Sequence, residues 1–97
     1  MASEKVQRQR KNMTARVFSI SEGLTEIEHV DFIRIKSERY GLLIMEDYMP
    51  TLGKIDGSVT IEAQGMVKSY EDIHGFYIHQ QNLFRLMLRE DKRESVS

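Results

Sequence analysis

The stretch SVTIEA, residues 58–63, constrains the fold more than any other part of the chain. Val59, Ile61 and Ala63 alternate strictly with Ser58, Thr60 and Glu62. Alternation at period two sets the apolar side chains on one face of an extended strand and the polar ones on the other. DFIRIK repeats the pattern, with Ile33 and Ile35 set against Arg34 and Lys36. ARVFSI, MVKSY and FRLML are rich in β-formers, and ARVFSI alternates less cleanly. GLLIME is a near-continuous apolar run, the pattern of a central strand covered on both faces. Gly23, Gly41, Gly53, Gly57, Gly65 and Gly75 all fall between these runs, as turn residues should. The pattern predicts an all-β domain, a small antiparallel β-sandwich or flattened barrel of about seven to ten short strands.

One segment fits two periods. Ile73, Phe76, Tyr77, Phe84, Met87 and Leu88 also make a helical stripe. Gly75 would cost that helix about 1 kcal/mol, and QQN at 80–82 stands where a hairpin would turn. Two strands, Phe76–His79 and Leu83–Leu88, are the better reading. His74 and His79 lie in this segment, an odd number of residues apart. A strand puts them on opposite faces and a helix rotates them apart, so they do not converge on a metal. Both read as structural or surface histidines.

No other catalytic constellation emerges. Ser19 and Ser21 lack a nucleophile elbow, and Glu46 and Asp47 are adjacent carboxylates without a partner base. No phosphate-cradling glycine loop is present, and Asp56-Gly57 is a turn dipeptide without the other acidic positions of a calcium loop. The chain lacks cysteine, which removes disulfides, thiolate nucleophiles and cysteine–zinc sites together. No cofactor and no metal is expected, and the chain reads as a noncatalytic domain rather than an enzyme.

The 97 residues allow one domain with a modest core. Residues 1–14 are polar and basic, with Lys5, Arg8, Arg10 and Lys11 against Glu4, and are expected to form a mobile tail. Residues 90–97, EDKRESVS, read as a second tail, leaving 15–89 as the β-domain. The N-terminus has no apolar core of a secretory signal, and no run approaches the roughly 20 residues of a membrane span. The net charge of −1 provides no general attraction for nucleic acid. Function is therefore expected in a surface that binds protein. Tyr40, Met45, Tyr48 and Met49 cluster around ERYGLLIMEDYMP; aromatic and methionine side chains near turns are common interface anchors, and the alternative is that they close the end of the sandwich. Arg39, Glu46 and Asp47 stand among them, and the adjacent carboxylates read by themselves as a solvated loop.

Read in order, VFSISEG, EHVDFIRIK, YGLLI, MPTLGKIDGSVTIEAQG and SYEDIHGFYIHQQNLFRLML resemble the N-terminal β-sandwich of the epsilon subunit of F-type ATP synthase. The matching marks are Glu22-Gly23, Val30-Asp31, Gly41-Leu42-Leu43, the run Gly57, Val59, Ile61 and Gly65, then Tyr70, Gly75-Phe76 and Asn82. The resemblance spans about residues 15–89 and implies a noncatalytic docking subunit. It implies a grip on the gamma stalk, a seat on the membrane rotor ring, and a place in coupling proton transport to ATP synthesis. For Arg39, Glu46 and Asp47 it implies a role in setting partner choice by charge. It further implies a cytoplasmic protein, peripheral at the inner face of the membrane, touching the membrane only through its partners. The family places a proline and then a histidine after the Gly-aliphatic pair, where this chain reads IMEDYMP. Arg39 stands where the family commonly has an acidic turn residue. The family's two C-terminal helices have no counterpart before Ser97, so neither their inhibitory nor their nucleotide-sensing role is expected.

Two other readings stay open. The sandwich can serve as a stand-alone interaction or regulatory domain, since a fold does not fix a function. GLLIMEDYMP and GFYIHQQNLF are also weakly similar to the signature segments of Sm-like RNA-binding barrels. That family's RNA-contacting positions are replaced here by Pro50 and Gln80-Gln81, so no nucleic-acid partner is expected.

Overall fold

A computed structural model describes residues 12–89. Six strands follow in order: β1 (Met13–Ser19), β2 (Gly23–Ser37), β3 (Gly41–Met45), β4 (Thr51–Ala63), β5 (Met66–Gln80) and β6 (Leu83–Leu88). They form one sheet in the order β1-β6-β5-β4-β2-β3, and a further β1–β2 pairing closes five of them into a barrel. β1 and β6 run parallel; the other pairings are antiparallel. The all-β, small-barrel expectation holds, with one parallel pair in an otherwise antiparallel barrel.

The strands are fewer and longer than the glycine spacing suggests. MVKSY and the Phe76–His79 strand are two ends of one strand, β5, and DFIRIK is the second half of β2. Bulges bend these long strands where a reading of the sequence would break them. The register of β2 shifts beside His29, and that of β4 against β5 shifts beside Asp72, both residues at positive φ. A bulge adds one residue on one side of a pair and increases the local twist. β2 exploits it to change neighbours: one edge takes β1 along residues 23–30 and β3 along 32–36, while the other takes β4.

Period two sorts the faces as the sequence predicts. Ile33, Ile35, Val59 and Ile61 are buried, while Arg34 and Lys36 are exposed. Tyr77 and Phe84 stack inside at 5.6 Å. The hairpin over 73–88 is confirmed against the helical alternative, with β6 at Leu83–Leu88.

Three expectations are corrected. GLLIME does not form a central strand: β3 pairs with β2 alone, Ile44 is its one fully buried residue, and Leu43 and Met45 are exposed. A small barrel has a single interior, so only one face of β3 can be covered. Gly53, Gly57 and Gly75 are not turn residues: the first two lie within β4 and the third within β5. A Cβ on Gly57 would collide with the Lys36 carbonyl oxygen, and one on Gly75 with that of Met87. Finally, the ordered barrel begins before residue 15, because β1 starts at Met13 and that side chain is fully buried. Of the expected tails, residues 1–11 and 90–97 lie outside the described residues.

Candidate docking surfaces

One end of the barrel gathers the β3–β4 bend, the start of β1 and the β5–β6 turn. The bend, residues 46–50, turns through Asp47 at φ 67°. Its Tyr48 amide donates to the Met45 carbonyl at 3.1 Å. The Asp47 amide donates to Asn82 Oδ1 at 2.6 Å, and Asn82 Nδ2 donates back to Asp47 Oδ1 at 3.1 Å. The Asn12 amide donates to Glu46 Oε2 at 3.0 Å, and the Thr14 amide to the Asn82 carbonyl at 2.9 Å. Three segments remote in sequence are thus held by reciprocal polar contacts.

The seven candidate interface residues split between the two ends of β3. Glu46, Asp47, Tyr48 and Met49 share the bend, and Met45 precedes it. Arg39 and Tyr40 lie in the β2–β3 turn, separated from the bend by the five residues of β3. Tyr40 donates its hydroxyl to the Lys54 carbonyl at 2.6 Å, and burial pushes its pKa above the usual phenol value. Met45 and Met49 are exposed, so they are free to meet a partner. Tyr48 instead leans inward, edge-on to His79 at 6.4 Å, and closes the barrel end.

The histidines separate as their odd spacing requires. His79 points into the barrel and His74 outward, where its Nδ1 meets Asp56 Oδ1 at 2.7 Å. That hydrogen bond is the main reason the Asp56 pKa lies below its usual value. Among the described residues no three His, Asp or Glu side chains are grouped to hold a metal ion.

A second surface was not singled out from the sequence. On the outer wall, Leu24 of β2 is in register with Phe18 of β1, Phe18 with Met87 of β6, and Met87 with Phe76 of β5. All four are large, apolar and about half exposed: 60, 46, 54 and 51%. Ile78 and Leu52, also exposed, are paired in the adjacent row. Cations border the band. Lys54 continues the row beyond Phe76, and Arg16 and Arg85 face each other beside it. Arg16 meets Glu26 at 3.8 Å, whereas Arg85 has no ion pair among the described residues. A signal for the band exists in the sequence. VFSI, GFYIH and FRLML carry large apolar residues at both odd and even positions, and a small barrel can bury only one set.

These surfaces can be set beside known structures. One solved neighbour is a chain of the central stalk/c-ring of the mitochondrial ATP synthase of Tetrahymena thermophila, matched with a TM-score of 0.64 at 17% identity. This chain shares its fold with a component of that central stalk/c-ring assembly. The match covers 84% of this chain and 66% of the neighbour, so the chain spans just under two thirds of that component. No family model matches the sequence, and no curated protein matches it.

Proposed function

We propose that this chain is a noncatalytic docking subunit of a rotary ATP synthase, comparable to the β-domain of the epsilon subunit. The observation that carries the proposal is the apolar row Leu24–Phe18–Met87–Phe76 on the outer wall of a barrel whose interior is already filled. Half-exposed large apolar side chains adjacent in register make one contiguous patch, and contiguous apolar patches on small soluble proteins are often functional. Lys54, Arg16 and Arg85 at its margin fit a partner whose apolar stripe is flanked by carboxylates. The stalk subunit is the proposed occupant of this band. The bend at the barrel end, with Glu46, Asp47 and exposed Met49, is the proposed contact to the membrane rotor ring.

The task suits the fold. A subunit that turns with a stalk must transmit torque without shearing, and the β1–β2 pairing that closes five strands into a barrel stiffens the sheet against sliding. The shared fold with a stalk/ring component supports this reading. In this role the protein would be cytoplasmic and peripheral at the inner face of the membrane, coupled to proton transport only through its partners.

The test is affinity capture of the tagged chain from native membranes, followed by mass spectrometry. The wild type is expected to recover synthase stalk and ring subunits, and a Phe18→Ser/Met87→Ser variant to lose the stalk. Asp47→Lys with Met49→Ser is expected to weaken the ring contact. Recovery of no synthase subunit by the wild type would sink the proposal, and undiminished stalk recovery by the Phe18/Met87 variant would show that the docking face lies elsewhere.

A further inference from the structure

His79 is completely buried, yet neither of its ring nitrogens meets a hydrogen-bond partner. Buried polar atoms are nearly always paired, so an orphaned imidazole needs an explanation. Its surroundings are aromatic and uncharged. The Phe84 ring of β6 lies at 6.2 Å and the Tyr48 ring of the bend at 6.4 Å. Across β4, His79 is in register with Thr51, whose hydroxyl is engaged with the Tyr77 hydroxyl at 3.2 Å. The bend's carboxylates are turned elsewhere, Glu46 to the Asn12 amide and Asp47 to Asn82. No carboxylate bonds to the ring, and burial holds its pKa below the ordinary 6.5.

We propose that His79 and Tyr48 form a proton-operated latch: protonation of the buried imidazole displaces the Tyr48 ring and releases the 46–50 bend from the barrel end. An imidazolium without a partner in an apolar site must reach water. His79 stands on β5 of the closed barrel, between its register partners Thr51 of β4 and Phe84 of β6. Tyr48 reaches it from a five-residue bend held by the Met45, Asn82 and Asn12 contacts, with Asp47 in the left-handed region. The bend is joined to the barrel end by a few hydrogen bonds rather than by a strand ladder, and it is the proposed route by which the ring reaches water. The sign follows from linkage. With the folded-state pKa depressed, the unfolded or opened form binds the proton more readily, so closure weakens as pH falls below about 6.5. The latch stands on its own geometry. Only its consequence, acid-weakened ring docking, rests on the proposed function.

The full chain alone can test it, by amide hydrogen exchange measured with NMR between pH 7.5 and 5.5. The Asp47 amide, which donates to Asn82, reports the bend; the Ile33 and Ile61 amides report the barrel. The Asp47 protection factor is expected to fall by up to about tenfold per pH unit on acidification while the barrel amides keep theirs. His79→Leu should abolish that dependence and Asp47→Asn should leave it in place. The idea fails if Asp47 protection does not change with pH, if it is lost together with the barrel amides, or if the dependence survives in His79→Leu. The His79 ring resonances of the wild type supply a check that needs no variant. A ring that titrates while Asp47 stays protected also overturns the latch. None of these outcomes depends on a synthase partner, so capture and latch can fail separately.

Discussion

Phe18 of β1 and Met87 of β6 stand directly opposite each other in the parallel pair, both turned outward and both about half exposed. The two residues are remote in sequence and become neighbours only because the ends of the described chain lie side by side and close the barrel. Their position separates binding from stability. Cross-strand pairs on an exposed face contribute roughly 0.2–1 kcal/mol. Phe18→Ser with Met87→Ser is therefore expected to lower stability by no more than about 1 kcal/mol while reducing affinity for the proposed stalk partner at least about tenfold. Thermal unfolding and binding titrations of the same preparation check both halves.

Gly57 is set against the backbone of β2, where an added methyl would collide with the Lys36 carbonyl. Backbone cannot rotate away as a side chain can. Gly57→Ala is expected to destabilise the barrel by about 1–3 kcal/mol. For a domain of this size each kcal/mol corresponds to a shift in Tm of roughly 4–8 °C. An unchanged Tm would mean that the β2–β4 approach is looser than described.

The surface pair His74–Asp56 makes a prediction about pH. Its hydrogen bond favours the ionised carboxylate, so Asp56 titrates below its usual 3.8. The contribution to stability is present above that ordinary value and is lost as pH falls through the lower, folded-state value. His74→Leu should return the Asp56 midpoint toward 3.8, as read from its carboxyl resonance. Both side chains are substantially exposed, and global stability at neutral pH should change little.

Tyr70 carries a buried hydroxyl with no hydrogen-bond partner, beneath the Lys68 ammonium, which sits 5.5 Å from the ring centre. Burial is the main cause of its raised pKa. Tyr70→Phe keeps the ring and the cation above it while removing the orphaned hydroxyl. Stability should stay equal or rise, by up to about 1–2 kcal/mol. Loss of more than about 1 kcal/mol in chemical denaturation would reveal a partner for that oxygen.

The candidate site was legible in part. Clustering of aromatic, methionine and charged residues in ERYGLLIMEDYMP led to the bend, and the structure places Glu46, Asp47, Tyr48 and Met49 together there. It also separates Arg39 and Tyr40 from them, since adjacency in sequence does not survive a strand laid between. Tyr48, which the sequence leaves as either a partner anchor or a closure of the sandwich end, lies edge-on to His79 at 6.4 Å. Exposure of an aromatic residue is decided by which way a bend folds, and a turn has no period from which to read direction.

The sequence by itself determined which side faces inward in the strands that alternate cleanly. Ile33 and Ile35 against Arg34 and Lys36 needed no tertiary information, because alternation is a property of the extended backbone. It also settled the hairpin at Gln80–Leu83, where Gly75 weighed against a helix. Only the tertiary structure decided that β3 is an outlying strand, that β1 and β6 run parallel, and that Leu24, Phe18, Met87 and Phe76 form one row. Register between remote strands follows from how bulges bend the long strands and where the barrel closes. Those are sums over many distant hydrogen bonds, and no local pattern carries them.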